Sequence, residues 1–466
     1  MRRAHLIGAS GGGMQALATV LLGQGWALTG SDLCGGTMHP AEGRTIAVRR
    51  GHGPNNLPTD ADAVVYSDAV NRRNPELQRA RKLGIPTLSY FEMVAKLTAP
   101  LQCVAIAGTH GKSSTVGMCR QIFHRAGHDP MVLCGAATIG QPSGGRHGAG
   151  RCALVEACEF RANFLRLRPR MAAVLGIEHD HFDCYPVKQQ LLDAFTRFVQ
   201  SVPPNGLLIV PADCVESRRL AERASCRVET FSLSGEADWS AGRLVHRRGF
   251  YQFEARYRGH PVCDVGLQVL GAHNARNALA ATALAWANDI SSDDIAKGLH
   301  QFPGLKRRLE CLGTFDGVTI IDDYAHHPTE VAAALKAVQQ RYPGRRLWCL
   351  FQPHQAVRLT RLLHETALAL QGADVVVITE VFRAREGNRR RGEADADALA
   401  REVRKHGVPA SAAGPIQNLL PLVATRLTPG DVLITMGAGD IHLLPHTLAK
   451  HLPQNAPMLP APASMR

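Results

Sequence analysis

The segment at residues 103–115 constrains the fold of this chain more than any other part of its sequence. An apolar run, Cys-Val-Ala-Ile-Ala at residues 103–107, leads into Gly-Thr-His-Gly-Lys-Ser-Ser at residues 108–114. This order predicts a buried strand, a tight glycine turn and a helix from about Ser113 to Ala126. Backbone N–H groups in such a turn, together with the helix N-terminus, bind phosphate oxygens. The segment therefore predicts a nucleotide site within an α/β fold.

Two side chains of that loop are of the types that phosphate chemistry needs. Lys112 is placed to reach the terminal phosphates of a nucleotide, and the hydroxyl of Ser113 is placed to bind Mg²⁺. Ile106 stands where a complete Walker A motif has its first glycine. We therefore expect a phosphate cradle of the P-loop type that departs from the full motif.

The size and composition of the chain restrict its class. A length of 466 residues predicts two or three domains. No apolar run is long enough to cross a bilayer, and the N-terminus lacks the apolar segment of a signal peptide, so we expect a cytoplasmic protein without membrane insertion. The 12 cysteines form no Cys-x-x-Cys pair, which argues against a disulfide framework or a zinc ribbon.

The charge of the chain points to anionic partners. A net charge of +13 suits either nucleic acid or phosphorylated small molecules, although it also fits plain solvated surface charge. Aromatic residues make up only 5% of the chain, and the most basic stretch, residues 383–391, is not interleaved with them. Because nucleic-acid surfaces use aromatic side chains to stack bases, we expect no nucleic-acid partner.

The N-terminal residues predict a β-α-β unit. Residues 4–7 form an apolar strand, residues 8–13 a glycine-rich loop and residues 14–22 a helix. A second strand at residues 26–29 ends at Ser31 and Asp32. An acidic residue after the second strand is typical of dinucleotide-binding folds, although Ser10 occupies the second glycine position. We expect a Rossmann-like domain at residues 1–99, with a tight turn that binds no ligand as the alternative.

Two more α/β domains are predicted beyond it. In the central P-loop ATPase-type domain, residues 100–303, apolar strands end at Glu156 and at Glu-His-Asp-His in residues 178–181. Ligands of open α/β sheets bind at such strand ends. Alternating strands and helices predict a Rossmann-like C-terminal domain at residues 304–452. Residues 453–466, rich in Pro and Ala, are predicted to be a disordered tail.

Further segments carry a family resemblance. These are Glu-Ala-Cys-Glu at residues 156–159, Glu-His-Asp-His at 178–181, His-Asn-Ala-Arg-Asn at 273–277 and Asp-Asp-Tyr-Ala-His-His-Pro-Thr-Glu at 322–330. With the phosphate loop they closely resemble the ATP-dependent Mur ligases of cell-wall synthesis, in the same order and over nearly the whole chain. Phe-Gln-Pro-His at residues 351–354 favours the members that use L-alanine.

The resemblance implies a reaction and its substrates. ATP would phosphorylate the lactyl carboxylate of UDP-N-acetylmuramate, and the amine of L-alanine would then displace phosphate from the acyl phosphate. The cofactors implied are ATP and Mg²⁺, and the expected state is a monomer or a dimer. Catalysis between two anions depends mainly on positioning and on neutralising charge.

The resemblance also implies roles for individual residues. The catalytic residues implied are Lys112, Glu156, His181 and Arg308, and the metal ligands are Ser113, Glu156 and His181. ATP would contact Gly108, Thr109, His110, Gly111, Lys112, Ser113, Ser114, Asn274, Asn277, Arg308 and Asp323. The UDP-sugar would contact Gly8, Ser10, Gly11, Gly13, Met14, Ser31, Asp32, Ser67 and Glu159. L-Alanine would contact His327, His354 and Arg358.

Some positions depart from the family pattern. Two serines replace the usual Thr-Thr at residues 113–114, and Phe160 and Arg161 stand where the family often has Ser-Asp. Gln355 stands where many members have Arg. Some Mur ligases carry a carbamoylated lysine on a helix that reads Gln-Leu-Leu-Asp-Ala here, at residues 190–194. We expect none in this chain, since Lys188 lies just before that stretch.

Four other functions fit parts of the sequence. A recycling ligase that adds a preformed peptide to UDP-N-acetylmuramate shares the segments at residues 307–310 and 325–329, but typically lacks the one at 351–354. A folylpolyglutamate synthase shares only the phosphate loop. A nucleic-acid-dependent ATPase needs an Asp-Glu type strand end, whereas this strand ends in Glu-Ala-Cys. A non-catalytic sugar-nucleotide binder would not need Lys112, Glu156 and His181.

Overall fold

The computed structural model describes residues 2–41, 43–384, 386–387 and 391–451. The predicted tail at residues 453–466 lies outside this part of the chain. The chain divides into two compact units, the first of which extends to Leu305. The second begins at Lys306 and also includes the short segments His246–Phe250 and Val269–Ala272. Within the described residues, the strands form three sheets. No helix in the described part of the chain has the length and apolar character needed to cross a membrane.

The first sheet has the strand order β3-β4-β2-β1-β5-β6. Its elements are β1 (Arg3–Ile7), α1 (Gly12–Gly23), β2 (Ala27–Asp32), β3 (Gly36–Ala41), β4 (Arg44–Arg50), β5 (Ala63–Tyr66), α2 (Pro75–Lys82), β6 (Thr87–Ser89) and α3 (Tyr90–Thr98). The predicted β-α-β unit is confirmed, because β1 pairs in parallel with both β2 and β5. The antiparallel edge strand β3 was not predicted, since Gly36 and Pro40 within it are residues that strands disfavour.

The second sheet has ten strands, ordered β16-β15-β14-β13-β12-β11-β7-β10-β8-β9. Its strands are β7 (Gln102–Ala107), β8 (Met131–Leu133), β9 (Gly145–Arg146), β10 (Cys152–Glu156), β11 (Met171–Val174), β12 (Leu207–Pro211), β13 (Arg227–Ser232), β14 (Trp239–Arg247), β15 (Phe250–Tyr257) and β16 (His260–Leu270). Its helices are α4 (Lys112–Arg125), α5 (Lys188–Gln200), α6 (Val215–Ala221), α7 (Ala272–Trp286) and α8 (Ser292–His300). The strand order reverses at β7, so its carboxyl end is where ligands bind in such sheets.

The third sheet has the order β17-β18-β22-β19-β20-β21. Its strands are β17 (Glu310–Phe315), β18 (Val318–Asp323), β19 (Leu347–Phe351), β20 (Val375–Thr379), β21 (Ala410–Gly414) and β22 (Val432–Met436). Its helices are α9 (Pro328–Arg341), α10 (Ala356–Arg361), α11 (Leu363–Leu370), α12 (Ala396–Lys405), α13 (Leu419–Ala424) and α14 (Leu443–His451). All its strand pairs are parallel except β17 with β18.

Helix α1 packs against the second sheet as well as the first. A Cβ atom added at Gly12 would lie 2.1 Å from the carbonyl oxygen of Gly135, and one at Gly145 would lie 2.1 Å from that of Ala16. Only glycine allows backbones to approach this closely. One buried apolar cluster extends from the first sheet through α1 to the second, and includes Leu6, Leu17, Leu21, Met131 and Leu133. The first two sheets therefore share a core.

Candidate active site

The predicted strand-turn-helix forms at the carboxyl end of β7. Helix α4 starts at Lys112, one residue before the predicted position. Gly108 and Gly111 have φ angles of 122° and 81°, which favour glycine. A Cβ atom at Gly108 would lie 2.8 Å from the backbone nitrogen of Leu175, and one at Gly111 would lie 2.4 Å from Oδ1 of Asn277. The turn is therefore packed tightly against its neighbours. The N-cap residue of α4 is Gly111, which has no side chain to cap the first-turn N–H groups.

Lys112 folds back over the loop and pairs with a buried carboxylate. Its Nζ donates to the carbonyl oxygens of Gly108 at 2.5 Å and Thr109 at 3.1 Å, and lies 3.0 Å from Oε2 of Glu159. Burial alone would lower the pKa of Lys112, but the charge of Glu159 outweighs it and raises that pKa. Burial likewise would raise the pKa of Glu159, which Lys112 and His181 instead lower. The pair therefore stays ionised.

Ser113 and Glu156 place oxygen atoms at the same strand edge. The hydroxyl of Ser113 donates to Oε1 of Glu156 at 2.8 Å, and the backbone N–H of Gly135 donates to Oε2 at 2.7 Å. Glu156 is the last residue of β10, which pairs in parallel with β7. The structure thus brings together the hydroxyl and the carboxylate that the sequence predicts as metal ligands.

His181 lies beside Glu159 in the structure. Its Nε2 is 3.3 Å from Oε1 of Glu159, and the ligand atoms of Cys158, Glu159 and His181 all lie within 4.8 Å of one another. Nδ1 of His181 is buried and has no hydrogen-bond partner among the described residues. The Glu159 side chain, which is expected to contact the UDP-sugar, is almost fully buried and pairs with Lys112 and His181.

Phe160 and Arg161, which depart from the family pattern, connect the central sheet to the first one. Arg161 donates to the carbonyl oxygen of Asp68 at 2.7 Å, and its guanidinium lies 5.2 Å from the ring centre of Phe160. The hydroxyl of Tyr185 donates to the carbonyl oxygen of Glu159 at 2.6 Å. Residues 159–161 therefore run between the phosphate loop and the loop after β5.

The two asparagines of α7 lie against the phosphate loop. Nδ2 of Asn277 donates to Oδ1 of Asn274 at 3.2 Å, and both side chains are largely buried. The close approach of Asn277 to Gly111 places this pair beside the start of α4. The structure thus brings the segment at residues 273–277 next to the phosphate loop at residues 108–114.

The first βα turn gathers most of the predicted sugar-nucleotide residues. Gly8 has a φ of 76°, and a Cβ atom there would lie 2.9 Å from Cβ of Ser67. The backbone N–H of Ser10 donates to Oδ2 of Asp32 at 3.0 Å. Gly11 precedes α1 and Gly13 lies in its first turn.

Two other residues predicted for that site face the interior. Ser31 is completely buried, and its hydroxyl donates to Oε2 of Glu76 at 2.6 Å. Met14 is 2% exposed and packs in the core of α1. Side chains alternate in direction along β2, which turns Asp32 outward and Ser31 inward.

In the second unit, Asp323 ends strand β18. Its carboxylate accepts the backbone N–H groups of Ala325 at 2.7 Å and Leu309 at 2.6 Å. Burial raises the pKa of Asp323 to about 6 even though Arg308 opposes that rise. The guanidinium of Arg308 lies 5.0 Å from the ring centre of Tyr324 and 3.7 Å from Glu330. Arg308 and Asp323, the two residues expected to contact ATP from this part of the chain, are therefore neighbours.

The residues predicted to bind the amino acid follow β18 and β19, the two strands on either side of β22. NH1 of Arg358 lies 2.9 Å from both Nδ1 and the carbonyl oxygen of His354, and Arg358 is only 4% exposed. His327 caps the N-terminus of α9. The rings of His326 and His354 lie 5.5 Å apart, which brings the two loops together.

Sequence reasoning missed Glu386. Its carboxylate accepts the N–H groups of Ala356 at 2.6 Å and Val357 at 3.0 Å, and so caps α10. A carboxylate there is favoured by the helix dipole. No local signal could reveal it, because Glu386 lies 30 residues beyond the helix start.

The fold and site define a class of protein: an α/β protein with three sheets and a P-loop nucleotide site at the point where the central sheet reverses its order. The chain matches the Mur ligase family, catalytic domain, over residues 3–101, the Mur ligase middle domain over residues 106–285, and the Mur ligase, glutamate ligase domain over residues 307–439. The chain belongs to the Mur ligase family.

Relatives of known name cover almost the whole chain. The UDP-N-acetylmuramate–L-alanine ligase of Acetivibrio thermocellus is 35% identical, over 95% of this chain and 94% of its own. The enzyme of the same name from Geobacter sulfurreducens is 36% identical, over 95% and 96%. Among solved structures, the UDP-N-acetylmuramate-alanine ligase of Thermotoga maritima has a TM-score of 0.81 at 22% identity, covering 97% of this chain and 99% of that one. A murein peptide ligase from Psychrobacter arcticus has a TM-score of 0.76 at 22% identity, covering 98% and 100%.

Proposed function

We propose that this chain is an ATP-dependent ligase that joins L-alanine to the lactyl carboxylate of UDP-N-acetylmuramate, in the synthesis of peptidoglycan precursors. Relatives that are 35% and 36% identical over 95% of the chain carry the corresponding name. The structural observation that carries the proposal is the cluster at the carboxyl end of β7, where Lys112, Ser113, Glu156 and His181 meet. We propose that the reaction takes place in the cytoplasm, where its substrate ATP is available.

The reaction proceeds in two balanced steps. A carboxylate oxygen of the sugar nucleotide attacks the γ-phosphorus of ATP, which gives an acyl phosphate and ADP. The amine of L-alanine then attacks the acyl carbon and the amide bond forms. Inorganic phosphate leaves with the bonding electrons, and the proton lost by the amine balances the charge of the departing phosphate. The first step brings two anions together, so positive charge fixed at the site lowers its barrier. Lys112 supplies that charge from the loop that cradles the phosphates.

The residues present suit Mg²⁺. Ser113 and Glu156 offer hard oxygen donors, which Mg²⁺ prefers, and they lie 2.8 Å apart at the loop. His181 would lie at a second position beside Glu159, where Nδ1 is also left without a partner in the described residues. Mg²⁺ does not favour soft sulfur ligands, so the neighbouring Cys158 is not expected to bind it. Bound Mg²⁺ supplies neutralisation of phosphate charge.

The other residues are proposed to bind and orient the substrates. Gly8, Ser10, Asp32 and Ser67 would hold the UDP portion at the first βα turn. Asn274, Asn277, Arg308 and Asp323 would contact ATP. His354 and Arg358 would hold the carboxylate of L-alanine, since a guanidinium meets a carboxylate with two parallel hydrogen bonds.

One assay tests the proposal against its alternatives. The purified protein is incubated with ATP, UDP-N-acetylmuramate and a panel of L-alanine, L-serine, glycine and a preformed cell-wall tripeptide, and phosphate release is measured. We expect release only when ATP, the sugar nucleotide and an amino acid are all present, with L-alanine preferred. Preference for the tripeptide would instead identify a recycling ligase. RNA-stimulated hydrolysis without the sugar nucleotide would overturn the proposal.

A further inference from the structure

A second cluster of metal-ligating side chains lies in the second unit, on two neighbouring helices. His364 is in the first turn of α11, Glu402 is in the last turn of α12, and His406 is its C-terminal cap. One ligand atom from each of the three lies within 4.8 Å of the others. These residues belong to none of the predicted substrate or nucleotide contacts, so their grouping is independent of the proposed reaction.

The separation between His364 and Glu402 suits a tetrahedral ion. Nδ1 of His364 lies 3.4 Å from Oε1 of Glu402. Ligand atoms of a tetrahedral zinc site, bound at about 2.0–2.2 Å, are separated by about 3.4 Å. Glu402 and His406 are four residues apart at the end of one helix, a spacing that places both side chains on the same face. The cluster therefore has two ligands from one helix and one from its neighbour.

One ring nitrogen of the cluster is unsatisfied. Nε2 of His406 is shielded from solvent and has no hydrogen-bond partner in the part of the chain that the structure describes. Buried polar atoms of proteins are nearly always partnered, so an atom in this state needs an explanation. The side chain of His364 is 63% exposed, which leaves the cluster open to solvent on its other side. An ion could therefore enter without any opening of the fold.

We propose that His364, Glu402 and His406 bind a divalent transition-metal ion, with Zn²⁺ as the expected occupant, and that the ion clamps α11 to α12. Two imidazoles and one carboxylate form a donor set that suits Zn²⁺, with solvent in the fourth position. Mg²⁺ prefers oxygen ligands and is not expected to compete.

Lys405 weakens the attraction of the cluster for a cation, because its ammonium group pairs with Glu402. Its Nζ lies 2.7 Å from Oε2 of Glu402, while Oε1 of the same carboxylate faces His364. The ammonium group thus neutralises part of the negative charge that would attract a cation. Removing that ammonium should tighten metal binding, which distinguishes a metal site from a merely structural cluster.

The test is a zinc titration of the full-length protein. The protein is first stripped with a chelator, and Zn²⁺ is added in competition with a fluorescent indicator. Because Cys158, Glu159 and His181 form another potential zinc site, the comparison is between the wild type and His406→Ala. We expect the variant to lose one equivalent of bound Zn²⁺, with affinity at that site falling at least about a hundredfold, since even outer partners of zinc ligands contribute 10–100-fold.

Additional variants keep the outcome unambiguous. Glu402→Gln preserves size and should lose the same equivalent, while thermal melting without metal checks that each variant folds. Lys405→Gln should tighten binding several-fold, and Arg401→Gln, which removes an equal charge on the same helix, should leave it unchanged. Zn²⁺ should raise the melting temperature of the wild type through this site but should not do so in His406→Ala. Unchanged zinc stoichiometry and affinity in both His406→Ala and Glu402→Gln would overturn the proposal, as would competition by millimolar Mg²⁺.

Discussion

At the scale of single residues, the site depends on a charge balance set by residues far apart in sequence. Lys112 and Glu159 are 47 positions apart, yet each supplies the opposite charge that the other needs in the interior. A buried charge without a partner is strongly destabilising. Glu159 therefore acts as a positioning residue for Lys112, which the motif alone does not reveal.

Replacing Lys112 tests the phosphate loop. We expect Lys112→Ala to lower the rate of amide formation at least about a hundredfold, because a preorganised electrostatic contact of this kind is worth roughly 3–4 kcal/mol. UDP-N-acetylmuramate should still bind, since its proposed contacts lie on the first sheet. Turnover and calorimetric binding are measured separately, with Lys96→Ala, an exposed lysine of α3, as the matched control. Near-normal turnover in Lys112→Ala would remove the loop from the reaction.

Glu156 tests the metal assignment. Glu156→Gln keeps the size of the side chain but removes its charge, so we expect a higher Mg²⁺ concentration for half-maximal rate. His181→Ala should lower turnover with a smaller effect on ATP binding. The rate is measured across a Mg²⁺ series, with Glu236→Gln, an exposed glutamate, as the control. An unchanged Mg²⁺ dependence in both variants would show that these strand ends have a structural role.

At the scale of elements, the short helix α10 presents Arg358. Two backbone N–H groups of its first turn are capped by Glu386, which fixes the helix that carries the guanidinium. We expect Arg358→Ala to raise the KM for L-alanine about ten- to a hundredfold, because a hydrogen bond to a charged group is worth about 1.5–3 kcal/mol. The KM values for ATP and the sugar nucleotide should change little. Steady-state kinetics measure each substrate in turn, with the exposed Arg361→Ala as the control. An equal rise for all three substrates would exclude a specific contact.

The carboxylate of Glu76, on α2, is hydrogen-bonded to His5 on β1, Ser31 on β2 and Asn56 in the segment after β4. Burial alone would raise its pKa, but hydrogen bonds from His5, Ser31 and Asn56 lower that pKa to about 2 from 4.5. Because the folded-state pKa lies below the unfolded one, its stabilisation is complete above pH 4.5 and is lost as pH falls toward 2. This difference between the two pKa values corresponds to roughly 3 kcal/mol in the free energy of unfolding.

The matching experiment compares denaturant unfolding of the wild type and Glu76→Gln. The free energy of unfolding of the variant should be lower by roughly 3 kcal/mol at pH 7. This difference from the wild type should shrink as pH falls through 4.5. Glu222→Gln, at an exposed position, should show no such gap. A difference in stability that does not change between pH 7 and pH 3 would mean that the charge of Glu76 has no part in it.

Local patterns in the sequence predicted part of the fold, and distant contacts account for what they missed. The phosphate loop and the first β-α-β unit follow from periodicity and glycine positions, which are local properties. The edge strand β3 has no such pattern and is defined by its pairing with β4. The burial of Ser31 depends on Glu76, 45 residues later. Contacts of that length appear only once the fold is complete.

At the scale of the whole molecule, α1 joins the first two sheets through close backbone contacts. We expect Gly12→Ala to destabilise the protein by roughly 1–3 kcal/mol, as overpacking does, because a Cβ atom there would lie 2.1 Å from the carbonyl oxygen of Gly135. Gly11→Ala is the control, since the nearest atom to its added Cβ is 3.8 Å away. Thermal melting should show a lower midpoint for Gly12→Ala alone. Equal midpoints would mean that the two backbones can separate at no cost.

The shared core around α1 also restricts how the chain can be recombined. Leu17 and Leu21 lie in the same buried cluster as Met131 and Leu133, so the faces of the first two sheets must complement each other. A chimera that takes its first hundred residues from a relative would inherit a helix shaped for a different neighbour. A crossover near Leu305, where the first unit ends, keeps that matched pair intact. The segments that match the first two family models, residues 3–101 and 106–285, are therefore best exchanged together.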